Sequence, residues 1–587
     1  MRRTDTEVLV VGRGMAGLLA AFHAAKAGAS VVVTGTGGGA SSWLQGVNVP
    51  LGHADPRDTP EILYQDILRE GYGLSDPALA RDTAEGAIEV FNELTELGVE
   101  FARDGDRFRQ RHASGSTYPR CCFVPGMMWG PRAKQVLRQR LEAMPNVRFE
   151  PIIVARLLVD DAGVAGAAAY DPKTSDPVVI GARSVVLAAG GIGALFAHST
   201  YPPDVWGASY ALAYHAGACL KGMEFIQFEP LVVHAPERLR GYVIPTTLFG
   251  DGAFLTDAQG VRFLLEFRPQ GEAGIGKEEL VLAMAEMARR RRAARSGAVR
   301  LDARAVPLAT LKGYPWLYDF LLKHGIDLSR ETIEVLPAAH TCLGGIEVDV
   351  DRQTCVAGLF AAGEAAAGVH GAGRLAGGSG TDVIVSGARA GDAAARAAQR
   401  PRSEALMDLF RAECGTCEPA VERMELLESV RRRARAVLSE AAGIWRDGPT
   451  LSKALDEIAE LYWRIRPATP VTPASQQLRL ADMLLVSGMV LASAMAREES
   501  RGAHQRTDFP ETNPDFAFLR PLPWPPGSPF STAPATRAAS RSDDRAGQGV
   551  QPDDAASASP RPERAHLSGG QEQLGNPREE YRCNALS

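Results

Sequence analysis

The chain of 587 residues is 45% hydrophobic and 23% charged, with a formal net charge of −6. That length implies roughly two to four domains, and the acidic balance gives no electrostatic footprint for nucleic acid. No apolar run approaches the roughly 18 residues of a membrane span. Eight cysteines in so long a chain make no disulfide framework, and they suit a reducing, cytoplasmic setting.

The first seven residues, "MRRTDTE", lead into an apolar strand pattern rather than a signal peptide. Residues 8–11 ("VLVV") read as a buried parallel strand. Gly12, Gly14 and Gly17 then form G-x-G-x-x-G ahead of an Ala/Leu-rich helix. In such a turn the first glycine permits the tight bend, the second lets the backbone approach a pyrophosphate, and the third lets helix and strand pack closely. The helix N-terminus adds free N–H groups and the positive end of a dipole. About 20 residues on, an Asp or Glu normally ends the second strand and bonds the ribose. Here "ASVVVT" (residues 29–34) runs into "GTGGGASS" with no carboxylate. The loop alone leaves NAD and FAD undivided.

Further along, "RSVVLAAGG" (residues 183–191) and "GLFAAGE" (358–364) are two more buried strands ending in glycine turns. Between them, residues 230–335 break the α/β rhythm and look inserted. Residues 403–503 place apolar residues at three- and four-residue spacings, which predicts helices. From Pro525 onward the chain is rich in Pro, Ser, Ala, Gly and charge, and that composition predicts disorder. Cys414 and Cys417 form a lone C-x-x-C without histidines or a second pair, and Cys121–Cys122 are merely adjacent, so no metal site is expected.

Taken in order, several segments resemble the flavoprotein family of succinate dehydrogenase, fumarate reductase and L-aspartate oxidase. They are the opening G-x-G-x-x-G, "VVLAAGG", "GDGAFLTDAQGVRF" (250–263), "PAAHTCLGGIEVD" (337–349), "CVAGLFAAGE", "GVHGAGRLAGGSGTD" (368–382) and "REESRGAHQRTDFPE" (497–511). The resemblance spans residues 5–515. It implies an α/β fold: a discontinuous, Rossmann-like FAD-binding domain (1–229 and 336–402), an inserted α+β capping domain (230–335) and a helical C-terminal domain (403–515). Residues 516–587 are left as a disordered tail.

The resemblance also implies FAD, with contacts from Gly12, Gly14, Met15, Ala16, Gly17, Ser41, Ser42, Gln45, Gly46, Ala189, Gly190, Glu364, Arg374 and Ser379. Glu364 would sit against the flavin. The helix after Gly378 and Ser379 would aim its positive N-terminus at the ring. Members that bond FAD covalently use a histidine just before a Q-G-G segment. Here "ASSWLQGVNVP" has none, and residues 24–52 contain no histidine, so the FAD is expected to be non-covalent.

For the substrate, the resemblance assigns Arg374 and His340 to a small carboxylate. An arginine fork suits bidentate carboxylate binding. Other positions depart from the family. Glu229 in "FIQFEP" replaces a substrate histidine, Pro245 and Thr246 replace a Thr-Glu pair, and Phe249 replaces an arginine. Lys277 stands where the proton-donating arginine is expected, although that position also reads as an ordinary surface lysine. In the loop at 112–132, Ser116 and Arg120 are candidates. A buried Glu229 would repel a second carboxylate and favour an amine or other donor. The implied function is hydride transfer between FAD and a small carboxylate substrate. Amine oxidation of the L-aspartate oxidase kind and an electron-transfer subunit with an iron–sulfur partner are the alternatives.

Overall fold

An unbroken apolar run belongs in a strand covered on both faces, and residues 8–11 occupy one. The computed structural model describes residues 2–126, 128–273, 275–414, 424–465 and 476–522. Strand β1 (Arg2–Val11) buries Val8, Leu9 and Val10 completely. It pairs in parallel with β2 (Val31–Thr34), which pairs in turn with β3 (Val147–Glu150). β4 (Ile153–Asp160) and β5 (Gly163–Tyr170) are antiparallel neighbours, and β5 runs antiparallel to β6 (Pro177–Leu187). β6 lies parallel to β1, so the order is β3-β2-β1-β6-β5-β4.

Helix α1 (Met15–Lys26) follows the glycine turn. Gly12 has φ +126°, and a Cβ there would lie 2.2 Å from the Ala188 carbonyl oxygen. A Cβ on Gly17 would lie 2.2 Å from the Gly12 carbonyl oxygen. Both glycines are therefore required by close approach, one to the end of β6 and one to the turn itself.

The inserted segment makes its own four-stranded sheet, in the order β7-β10-β9-β8, from β7 (Ile226–Ala235), β8 (Phe254–Thr256), β9 (Val299–Asp302) and β10 (Ile333–Cys342). Helix α2 (Lys277–Arg289) belongs to this capping domain. Leu231, Phe263, Leu280, Met284, Leu301 and Val335 belong to a separate core cluster. The domain bounds expected at 229/230 and 335/336 fall inside β7 and β10, which run from one domain into the next.

The chain then returns, and β11 (Leu359–Ala361) pairs in parallel with the last residues of β6. Helix α3 (Gly378–Ala397) packs on α1 through small residues. A Cβ on Gly387 would lie 2.6 Å from the Ala16 oxygen, and one on Gly391 2.3 Å from the Ala20 oxygen.

Beyond Leu406–Cys414, the helical domain holds α4 (Met424–Ala441), α5 (Gly448–Ile465) and α6 (Gln476–Ala496). The helical reading of 403–503 is corrected at two places. Trp445–Arg446 and Gln505–Arg506 form a short parallel strand pair, and the last helix stops at Ala496. The expectation that no apolar run approaches span length is corrected at α6, which is long and apolar enough to cross a membrane by length and composition. Of its most apolar window, 83% is buried inside the protein. Cys417 of the C-x-x-C pair lies outside the described residues.

The boundary drawn at 515 is also corrected. Arg497, fully buried, pairs with Glu224 (2.5 Å) and Glu499 (2.8 Å). It also donates to the carbonyls of Phe516 (3.0 Å) and Phe518 (2.9 Å). The Leu522 N–H donates to the Leu220 carbonyl at 2.9 Å. Residues 516–522 are thus part of the packed body, and the rest of the expected tail lies outside the described residues. Hydrogen bonds to a buried charge are worth about 1.5–3 kcal/mol each. A chain ending at Asp515 should therefore unfold roughly 2–4 kcal/mol more easily than one ending at Leu522. Parallel denaturant titrations of the two truncations check this.

Candidate active site

In open α/β sheets a ligand sits beyond the carboxyl ends of the strands. The turns after β1, β6 and β11 here border a cavity of about 490 Å³. Of the residues singled out from sequence, Gly12, Gly14, Met15, Ala16, Ser41, Gln45, Gly46, Ala189, Gly190, Glu364, Arg374 and Ser379 line it, as do Glu229, Lys277 and His340. Two expected contacts do not line it. Gly17 packs beneath the turn, and Ser42 Oγ accepts from Lys134 Nζ at 3.3 Å.

The residues present fit an FAD. Helix α1 begins in this cavity with no acidic residue in its first turn, and Gly14 is its N-cap. The Met15 N–H donates to Ser41 Oγ at 2.9 Å, so Ser41 stands where a phosphate oxygen could be received. Where a ribose-binding carboxylate is usual, Gly35 adopts φ +124° and its carbonyl accepts from Arg13 Nη1 at 3.0 Å. Helix α3 also starts at the cavity, with Gly377 (φ +79°) as N-cap and no acidic residue in its first turn. Two helix N-termini thus face one cavity, which suits an anionic group at each.

Glu364 follows β11. Its Oε1 accepts from the Tyr201 hydroxyl and from the Cys342 N–H (2.9 Å), while its own carbonyl accepts from the Tyr210 hydroxyl at 2.7 Å. Gly191 must lack a side chain, because a Cβ there would lie 2.1 Å from Oε1. Burial pushes the Glu364 carboxyl up to about 7, against these hydrogen bonds and the nearby Arg374 charge.

Arg374 is buried. Its Nη1 donates to Ser379 Oγ (3.1 Å) and the Leu375 carbonyl (3.3 Å), and its Nη2 to Thr341 Oγ1 (3.4 Å). Among the described residues no ion pair is made by Arg374, and its buried Nε has no hydrogen-bond partner. His340 lies on β10 beside β7, which carries Glu229. Its Nδ1 is 2.9 Å from Thr200 Oγ1 and its Nε2 is 3.7 Å from Glu229 Oε2. Burial holds the imidazole neutral, down to about 3, despite the Glu229 charge.

Lys277, the first residue of α2, is not a free surface lysine. Its Nζ donates to Glu229 Oε2 at 2.5 Å, inside the cavity. Burial pushes the Glu229 carboxyl up, but Lys277, with His340 and Arg374, outweighs burial and keeps it below its ordinary value. The repulsion expected of a bare Glu229 is therefore offset, since the pair carries no net charge.

Pro245 and Thr246 line the cavity, but Phe249 does not. Ser116 and Arg120 lie elsewhere. Arg120 is spent on Asp58 and Asp66, each at 2.8 Å, and only residues 111–114 of that loop reach the cavity together with Cys121 and Phe123. No sequence signal points to Tyr201, Thr200 or Thr341. Thr341 follows His340 within the 337–349 segment but carries no signal of its own, and Thr200 and Tyr201 become neighbours of His340 and Glu364 only in the fold.

A family profile described as "FAD binding domain" matches residues 7–379, and one described as "Fumarate reductase flavoprotein C-term" matches residues 431–524. The chain is 31% identical over 535 residues to a fumarate reductase (CoM/CoB) subunit of Methanothermobacter marburgensis, covering 87% of this chain and 96% of that one. It is 31% identical over 554 residues to the L-aspartate oxidase of Nostoc sp., covering 87% and 92%. Among solved structures, quinol fumarate reductase FrdA of E. coli superposes with a TM-score of 0.79 at 26% identity, over 88% of this chain and 93% of that chain.

Glu364 sets a pH dependence in the protein stripped of FAD. Its folded-state pKa is raised, so its proton stabilises the fold fully below the ordinary carboxyl range, and that contribution is lost as pH rises through about 7. Glu364→Gln cannot lose it. The variant should gain roughly 2–4 kcal/mol on the native apoprotein between about pH 4 and pH 8 in denaturant unfolding.

Proposed function

This chain belongs to the FAD-dependent oxidoreductase family of succinate dehydrogenase, fumarate reductase and L-aspartate oxidase, and from that premise we propose that it moves hydride between non-covalent FAD and a small carboxylate anchored on Arg374. The observation that carries the reading is Arg374 itself: a buried guanidinium at the cavity with only neutral hydrogen-bond partners and a free Nε. A buried charge without a counter-ion is costly, and a substrate carboxylate would supply one.

Bound FAD supplies the two-electron hydride acceptor or donor, held by Gly12, Gly14, Met15, Ser41, Gly190, Glu364 and Ser379. Arg374 orients the carboxylate. Neutral His340 shares a hydrogen bond with Thr200 at Nδ1, and its Nε2, beside Glu229, faces the cavity where it would meet the substrate. Lys277 gives or takes the proton at the reacting atom, and Glu229 fixes the Nζ that does so. Since Glu229 and Lys277 together are neutral, the site offers one net cation for one carboxylate. Opposite it are a donor and an acceptor, suited to an amine or hydroxyl. This favours an amino acid over succinate or fumarate. A second reading rests on the Methanothermobacter relative, which is itself one subunit of a fumarate reductase: the chain works with an iron–sulfur electron-transfer partner. Co-purification of an iron–sulfur protein would support it.

Anaerobic mixing of the yellow holoenzyme with amino acids, succinate and other small carboxylates should bleach the flavin fastest with an amino acid. No bleaching by any of these, together with no reoxidation of reduced enzyme by fumarate, would overturn the reading. Arg374→Ala should keep its FAD and lose about 2–4 kcal/mol of transition-state stabilisation in flavin reduction. Loss of FAD from that variant would make Arg374 a cofactor ligand instead.

Lys277→Met should lower the rate of flavin reduction about 10²–10⁴-fold with flavin content unchanged. Stopped-flow absorbance measures both quantities. Acid precipitation of the native protein should leave all the FAD in solution.

A further inference from the structure

Among the described cysteines, Cys122 and Cys342 are buried and Cys121 is half-buried, whereas Cys219 and Cys355 are exposed. These two stand 136 residues apart in the chain, yet their Sγ atoms are 3.7 Å apart. Backbone hydrogen bonds fix both ends of this approach. The Cys219 carbonyl accepts from the Glu347 N–H at 2.9 Å, next to the antiparallel pairing of Leu220–Lys221 with Gly345–Ile346. Cys355 sits in a hairpin turn closed by the Thr354 N–H to the Leu359 carbonyl (2.9 Å), directly after a turn closed by the Asp349 N–H to the Gln353 carbonyl (3.0 Å).

A disulfide needs its sulfurs at about 2.05 Å. Two thiols already in contact on anchored segments can close that gap by side-chain rotation and a small backbone adjustment. The hydrogen bond between the sulfurs also sets their reactivity. It brings the Cys355 thiol down to about 6 against burial, and pushes Cys219 up. A low-pKa, exposed thiol beside a second thiol is the arrangement of an attacking and a resolving cysteine.

We propose that Cys219 and Cys355 are a surface dithiol that closes reversibly to an intrachain disulfide on exposure to hydrogen peroxide. The Cys355 thiolate attacks one peroxide oxygen; the O–O bond breaks, and hydroxide leaves and is protonated to water. The resulting sulfenic acid is attacked by the Cys219 sulfur, whose proton departs with the oxygen as a second water while the S–S bond forms. Two thiols lose two electrons and one peroxide becomes two waters. A dithiol reductant reverses the step by exchange. The bond would pin the segment leading into β7, which carries Glu229, to the hairpin leading into β11, which precedes Glu364.

The test treats the full-length holoenzyme with hydrogen peroxide, alkylates remaining thiols and maps peptides by mass spectrometry. The expected result is one cross-linked pair joining Cys219 to Cys355, lost on dithiothreitol treatment, with a higher thermal midpoint while it persists. Cys219→Ser and Cys355→Ser should each abolish the cross-link, and Cys219→Ser should leave a dimedone-reactive sulfenic acid on Cys355. Full alkylation of both thiols after oxidation would overturn the proposal. So would a disulfide confined to other cysteines, such as Cys414 with Cys417, or one joining two chains.

Discussion

The close approach of the turn after β1 to the end of β6 governs the rest of the structure. Gly12 lies so near Ala188 that a methyl group cannot be inserted, and Gly17, five residues on, lies as near the Gly12 carbonyl. Those contacts fix where α1 begins relative to the sheet. Because α1 and α3 then meet backbone to backbone at Gly387 and Gly391, the start of α3 is fixed too. One steric constraint therefore aims two helix N-termini at one cavity. The inserted domain adds the remaining side chains from β7, β10 and α2.

Within that frame the electrostatics divide into a satisfied part and an unsatisfied part. Glu229 and Lys277 cancel, and the fully buried Arg497 has two carboxylates and two carbonyls. Glu364 avoids the problem differently, since burial raises its pKa until the proton is held near neutral pH. Arg374 alone in this group has no ionic partner among the described residues. Arg446 is likewise buried on neutral partners but does not line the cavity; Arg374 does, and a buried cation there without a counter-ion favours an external anion.

What the sequence made legible is what local geometry encodes. The glycine spacing, the all-apolar strands and the helical periods each follow from a few adjacent residues. Glu229, Lys277, His340 and Arg374 could be picked out one by one through motif resemblance. Their mutual contacts could not. Lys277 is 48 residues from Glu229, and the pair exists only because the N-terminus of α2 packs beside β7. Composition misled at the C-terminal boundary. Residues 516–522 are themselves mostly apolar, and Phe516, Leu519 and Leu522 pack on the body, but the Pro- and Ser-rich stretch that follows draws the boundary too early. Helix α6 has the apolarity of a membrane span, yet it is a core helix surrounded by protein. Arg120 is a candidate by its place in the 112–132 loop, but two aspartates from outside that loop hold it.

Two of the departures from the family pattern, Glu229 and Lys277, make more sense as one change than as two. An unpaired glutamate at 229 would place a negative charge beside the substrate, and an unpaired lysine at 277 would leave a mobile cation on a flexible stem. Each substitution taken alone would be a defect, since a buried ion without its partner bears the full desolvation cost. Together they form a 2.5 Å pair whose carboxylate holds the ammonium in the cavity. That restores the fixed position an arginine achieves through its planar fork, and it does so with a group better able to exchange a proton. The same pairing leaves no net charge at that position, so under the proposed function easier proton exchange and weaker affinity for a second carboxylate would have a single structural origin.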